Sequence, residues 1–349
     1  MNSKFLALLS ALIFVGGITV LHLYFNLSDV QRGNHLATNF RVGFLPVTCH
    51  LTCPVTHFIN KQMHGEGPFE PVRFNGFPEM KESFISKKLE ATFMIAPLVM
   101  KMREQGVPVK IVYLGHRDGT TLMVHKDSDI HQIEDLVGKR IAVPSRYSNQ
   151  HLILYKAFSE RGLKIDPQKL IEMPPPEMPA ALFSRSVDAI IAGEPLMAKT
   201  EMDGYGRILF MTKDVWPEFI SCVLAVREDV IRERPDEVQK LVDGIARSGM
   251  WIDEDKDRGM SHRMQAADIA AQQQYYNQKP ELIRYVLSKP PDRVKYTNLR
   301  VVRRDFEAIE RFGKAAGIFQ GTVGFDDYAD PSFVPENRVV EPWNWEKPR

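Results

Sequence analysis

Short apolar, β-branched runs punctuate the chain after its first forty residues. They are Phe40 to Leu45, Pro71 to Phe74, Ala91 to Ile95, Val109 to Leu114, Thr121 to His125, Arg140 to Val143, Ala189 to Ala192 and Cys222 to Val226. Each is short enough to be a strand. Between most of them lie segments with helical spacing, such as Glu79 to Leu89 and His151 to Arg161. Strand and helix in alternation predict βαβ units and a mostly parallel sheet. From Pro235 onward the helical period dominates. The stretch HKDSDIHQIEDLVGKRIAVP (125–144) reads as a crossover into a second α/β unit, with a return near Cys222 to Val226. The expected organisation is one lobe from 39–125 and 226–329, a second from 126–225, and an extended, proline-rich tail over 330–349.

The amino-terminal pattern is different in kind. Phe5 to Phe25 (FLALLSALIFVGGITVLHLYF) has no formally charged residue. At about 1.5 Å per residue it reaches roughly 30 Å, the thickness of a bilayer core. Lys4 precedes it and Asp29 and Arg32 follow, so residues 1–4 are expected in the cytoplasm and the remainder outside it, after a polar linker over 26–38. A cleaved signal peptide is the rival reading, but its apolar region usually runs about 7 to 15 residues and ends in a small-x-small site, which Leu21 to Leu27 lacks. A lipid-modified cysteine is excluded, because the first cysteine is Cys49. No second run of about 18 apolar residues follows, which argues against a channel. The expected location is extracytoplasmic, tethered to the inner membrane or released to the periplasm.

Composition narrows the function. The 349 residues hold 45 Lys and Arg against 44 Asp and Glu, a net charge of +1, which argues against nucleic-acid binding through bulk charge. With 44% hydrophobic and 26% charged residues the chain is that of an ordinary globular protein. Three cysteines are too few for a disulfide scaffold. Phosphate-loop, Gly-x-Ser-x-Gly and His-Glu-x-x-His motifs are all missing.

Four passages carry a family resemblance: RVGFLPVTCHLTCPV (41–55), FNGFPEMKESFISKKLEATFMIAPLVMKMREQG (74–106), LVGKRIAVPSRYSNQHLILYKAFSERGLKIDP (136–167), and the stretch 188–235 with its Gly193-Glu194-Pro195 turn and Trp216-Pro217. Their order and spacing resemble the periplasmic substrate-binding proteins of ABC importers, in the branch that includes nitrate, bicarbonate, alkanesulfonate and thiamine-precursor binders. The resemblance covers roughly residues 40–240. It implies a two-lobed α/β fold of the type II periplasmic-binding kind, each lobe a mixed sheet flanked by helices, with a helical C-terminal segment. It also implies no catalysis, no cofactor, a small polar or anionic ligand between the lobes, and an ABC permease as partner. Two other classes are weighed beside it. One is a membrane-tethered sensory or scaffold domain; the other resembles a thiamine pyrimidine synthase, a cytosolic enzyme against which the apolar run argues.

Ligands of doubly wound sheets bind beyond the carboxyl ends of the strands. On that ground, and on the resemblance, the candidate pocket residues are Thr48, His50, Pro97, Thr120, Ser145, Ser148, Asn149, His151, Glu194 and Trp216. Ser145, Ser148 and Asn149 are placed to cap a helix whose N–H groups suit an anion. Glu194 repels an anion unless it is protonated, metal-paired or tied to a cation. Trp216 is read either as a stacking wall or as core. Cys49, Cys53 and His57, at i, i+4 and i+8, share one helical face and admit three readings: a metal cluster, a Cys49 to Cys53 disulfide, or buried free thiols.

Overall fold

A computed structural model describes residues 16–17, 40–65 and 67–346, and Phe40–Arg349 forms a compact unit by itself. Apart from Gly16 and Gly17, the apolar run Phe5 to Phe25 lies outside the described residues. Among the described residues no helix is long and apolar enough to cross a membrane.

The apolar runs pair into two mixed sheets. The first contains β1 (Arg41–Phe44), β2 (Glu70–Arg73), β3 (Ala91–Ile95) and β4 (Val109–Asp118); the second contains β5 (Thr120–His125), β6 (Ile141–Val143), β7 (Leu170–Glu172), β8 (Ala189–Gly193) and β9 (Gly206–Met211). The chain then returns to the first sheet with β10 (Ile220–Arg227) and β11 (Val294–Lys295). Strand order is β11-β4-β10-β3-β1-β2 in one sheet and β7-β6-β8-β5-β9 in the other. β1 runs parallel to β2 and β3, while β10 runs antiparallel to β3 and β4. Helices such as Thr52–His64, Phe77–Ile85, Ala96–Glu104 and Asn149–Ser159 follow the strands, as the alternation predicts. Both sheets are covered, so β3 and β10 are buried on both faces and read as unbroken apolar runs.

The lobe boundaries differ from the sequence reading. That reading places Thr121 to His125 in the first lobe and Cys222 to Ala225 in the second, whereas their pairing puts β5 in the second sheet and β10 in the first. β4 passes straight into β5 through Asp118 and Gly119, both at left-handed φ (62° and 74°). A Cβ at Gly119 would stand 3.0 Å from the His116 ring, so glycine meets both the conformation and the space. A one-residue switch between two apolar runs leaves no polar linker to read. The return segment lies beside it: Asp118 N–H donates to Phe219 O at 3.0 Å and Arg117 Nη1 to Glu218 O at 2.8 Å. The two crossings therefore form one hydrogen-bonded hinge.

The helical C-terminal part completes the first lobe. Helix Pro235–Asp253 opens on Pro235, Asp236 and Glu237, a favourable first turn, and buries Val238, Leu241, Val242 and Ile245 against the core. Beyond the 3-10 turn Pro331–Phe333 the described tail has no helix or strand, and it is packed against this helix. Trp343 Nε1 donates to Ser248 Oγ at 2.8 Å, and Trp345 meets Trp251 edge-on at 5.5 Å.

Candidate functional site

A cavity of about 550 Å³ opens where the carboxyl ends of strands from both sheets face each other. The first lobe lines it with Leu45–Val47 after β1, Asn75–Pro78 after β2, and Ile95 and Leu98 at the end of β3. The second lobe contributes Pro144, Ser145 and Tyr147 after β6, Glu172–Pro176 after β7, and Leu196 after β8. Gln278 reaches in from the helical part; its Nε2 donates to Pro46 O at 3.1 Å while its Oε1 is buried without a hydrogen-bond partner among the described residues. This is the crevice expected of doubly wound sheets.

Of the ten residues expected at the ligand, Ser145 lines this cavity. Its Oγ accepts from the Tyr147 N–H at 3.1 Å. Six others form a buried polar seam that joins the lobes beside the hinge. Thr48 donates through both its N–H and its Oγ1 to Glu194 O, at 3.0 and 3.1 Å. The Glu194 carboxylate accepts from Thr121 Oγ1 at 2.8 Å, Ala198 N–H at 2.8 Å and Arg293 Nη1 at 3.1 Å. Burial raises its pKa above the usual carboxylate range and Arg293 works against that rise. The cation that a buried carboxylate requires thus comes from the opposite lobe. Thr120 accepts at Oγ1 from Gln150 Nε2 at 3.1 Å, and Asn149 Nδ2 donates to Ser221 O. Ser148 caps its helix by accepting from the His151 N–H at 3.2 Å.

His50 is also in the seam. Its Nδ1 accepts from the Leu45 N–H at 2.7 Å, and its Nε2 stands 3.1 Å from Cys222 Sγ. Burial holds its pKa well below the usual imidazole value, which fits the neutral ring these contacts require. Pro97 is buried in the first turn of helix Ala96–Glu104. His151 Nδ1 lies 2.7 Å from Arg146 O and its ring borders a second cavity of about 540 Å³. Trp216 packs between the lobes, 4.7 Å from Phe219 and 5.2 Å from Phe312, with Lys156 over its ring. The sequence reading passes over Asn75–Pro78 and treats Pro174–Pro176 as a structural loop. Asn75–Pro78 follows the run Pro71 to Phe74, so the strand-end rule that singles out Ser145 applies to it equally; the short strand before Pro174, Leu170–Glu172, ends on a glutamate and gives no apolar run to read.

Cys49, Cys53 and His57 do not share one helical face. Cys49 lies in the 3-10 turn Thr48–His50, ahead of helix Thr52–His64 that carries the other two. All three cysteines of the chain are free thiols. Burial pushes the Cys49 thiol up to about 12. His57 Nδ1 is 2.7 Å from the Tyr275 hydroxyl. Among the described residues no group of three or more His, Cys, Asp or Glu side chains is arranged to hold a metal ion.

The architecture has known counterparts. A nitrate import ATP-binding protein, NrtC, of Synechocystis is 23% identical over 279 residues, covering 73% of this chain and 40% of that protein. A taurine-binding periplasmic protein of Escherichia coli is 27% identical over 167 residues, 45% of this chain and 51% of that one. The chain thus spans about half or less of the length of these relatives. Among solved structures, the zinc-bound ligand-binding component of an ABC-type import system from Staphylococcus aureus superposes with a TM-score of 0.73 at 25% identity, covering 84% of this chain and 97% of that one. The profile of the NMT1-like family matches residues 34–271, more than half of the sequence, and the chain belongs to the NMT1-like family.

Proposed function

We propose that this protein is the extracytoplasmic solute-binding receptor of an ABC-type importer, capturing a small solute between its lobes and presenting the closed form to a permease. The observation that carries the reading is the cleft itself, walled from both lobes by strand ends and crossed by one hydrogen-bonded hinge. The relatives, a nitrate import ATP-binding protein and a taurine-binding periplasmic protein, point the same way. In this reading Phe5 to Phe25 tethers the lobes to the inner membrane, and the work done is binding without chemistry. A ligand that fits the closed cleft shifts the open-to-closed equilibrium by its differential affinity for the two states.

Thermal unfolding against nitrate, bicarbonate, taurine, longer sulfonates and uncharged aromatic solutes tests the reading. A solute at 100 times its dissociation constant stabilises by about 2.7 kcal/mol, a readily measured rise in midpoint. A rise with a small solute is expected. No rise with any of them would speak against a receptor.

A further inference from the structure

The chemistry of the cleft wall narrows what this receptor carries; the inference rests on the reading above. The volume of about 550 Å³ lies within the range of roughly 300–1,000 Å³ seen for organic ligands of drug size, far more than a bare oxyanion held by its donors fills. Six wall residues are prolines: Pro46, Pro78, Pro144, Pro174, Pro175 and Pro176. Proline has no backbone N–H. Anion sites at strand ends depend on such groups at helix N-termini. Here Pro78 and Pro97 remove a donor from the first turns of two helices bordering the cleft, Phe77–Ile85 and Ala96–Glu104. A third helix, Asn149–Ser159, commits the His151 N–H to Ser148 Oγ.

The wall also carries little charge. The charged side chains of the wall are Lys81 and Glu172. Lys81 pairs with Glu82 at 3.3 Å, and Glu172 with Arg146 at 3.0 Å. Arg146 Nη2 is turned to the carbonyls of Pro167 and Leu170. An anion entering such a wall loses water and meets a single partly exposed lysine, Lys81, which already stands beside the Glu82 carboxylate. What the wall offers is Phe77, Leu98, Met173 and Leu196, rigid proline faces, and Gln278, whose buried Oε1 has no hydrogen-bond partner among the described residues. We infer that the ligand is an uncharged aromatic or fused-ring molecule bearing a hydrogen-bond donor, packed flat between the proline walls. The rigid walls lose little conformational freedom on binding, which favours a rigid partner.

The test is calorimetric titration of the full chain in lipid nanodiscs with benzamide, 2-naphthamide, 2-naphthalenesulfonate, taurine and nitrate. Naphthamide should bind at least about tenfold more tightly than benzamide, from the added apolar area. It should also bind at least about tenfold more tightly than the sulfonate on the same ring, with little change between low and high salt. Ser145→Phe, which fills the cleft from its half-exposed rim, should abolish this binding, and Gln278→Leu should weaken it several-fold. Tighter, salt-sensitive binding of the sulfonate, taurine or nitrate that Ser145→Phe removes would overturn the inference and leave the receptor standing. Failure of every probe, or binding that Ser145→Phe leaves untouched in a folded protein, would overturn both.

Discussion

Glu194 shows how one side chain takes its meaning from what surrounds it. As sequence it is a carboxylate in a turn after a buried strand; in the fold it is fully buried and bonded by Thr121, Ala198 and Arg293. Arg293 belongs to the opposite lobe, so the pair is a clasp across the seam. Removing one member of a buried pair leaves the other charge uncompensated, at a cost of about 3–5 kcal/mol. Arg293→Met should therefore destabilise by that order, and adding Glu194→Gln should recover part of the loss. Urea unfolding of the two single variants and the double variant measures the coupling. Losses that simply add, to within about 0.5 kcal/mol, would mean that no clasp exists. The need for a cation is legible in the sequence, because a carboxylate without one is costly to bury. The identity of Arg293 is not, since 99 residues separate the partners and no local pattern links them.

At the scale of elements, periodicity is a reliable guide to what forms and a poor one to where it goes. Each apolar run named from the sequence contains or overlaps a strand; those buried on both faces, such as Ala91–Ile95, are apolar or β-branched throughout, whereas the edge strand Glu70–Arg73 is half-exposed. Sheet membership is hidden, since β4 and β5 are joined through Gly119 without a linker and apolar runs look alike whichever sheet they enter. The strand-end rule leads to Ser145 and to the seam. It cannot separate the seam's polar residues from ligand contacts, because satisfied buried polar groups and ligand-binding ones have the same composition. The tail is a similar case: its prolines and lack of period describe an extended arm but give no sign that Trp343 and Trp345 are buried. Trp343 stands under Arg247 and bonds to Ser248 on helix Pro235–Asp253. Trp343→Ala should cost about 3–5 kcal/mol in chemical denaturation, the usual loss for a buried tryptophan. A loss below about 1 kcal/mol would show the tail to be dispensable to the lobe it covers.

Among the described residues, the unit from Phe40 onward holds two sheets, a hydrogen-bonded hinge and a cleft whose walls come from both sides. The hinge ties its two crossings together through Arg117 and Asp118, and the seam of Thr48, Glu194 and Arg293 lies beside it. On the proposed reading, opening of the cleft turns about this polar strip and parts the strand-end loops. Capture of a solute between the lobes makes a claim on both walls at once. Hydrogen exchange of the full chain, with and without the solute that raises its unfolding midpoint most, reads this directly. Bound solute should protect the loops 45–47 and 75–81 in the first lobe jointly with 144–147 and 172–176 in the second. Protection confined to one wall, or lying away from the cleft, would contradict capture between the lobes.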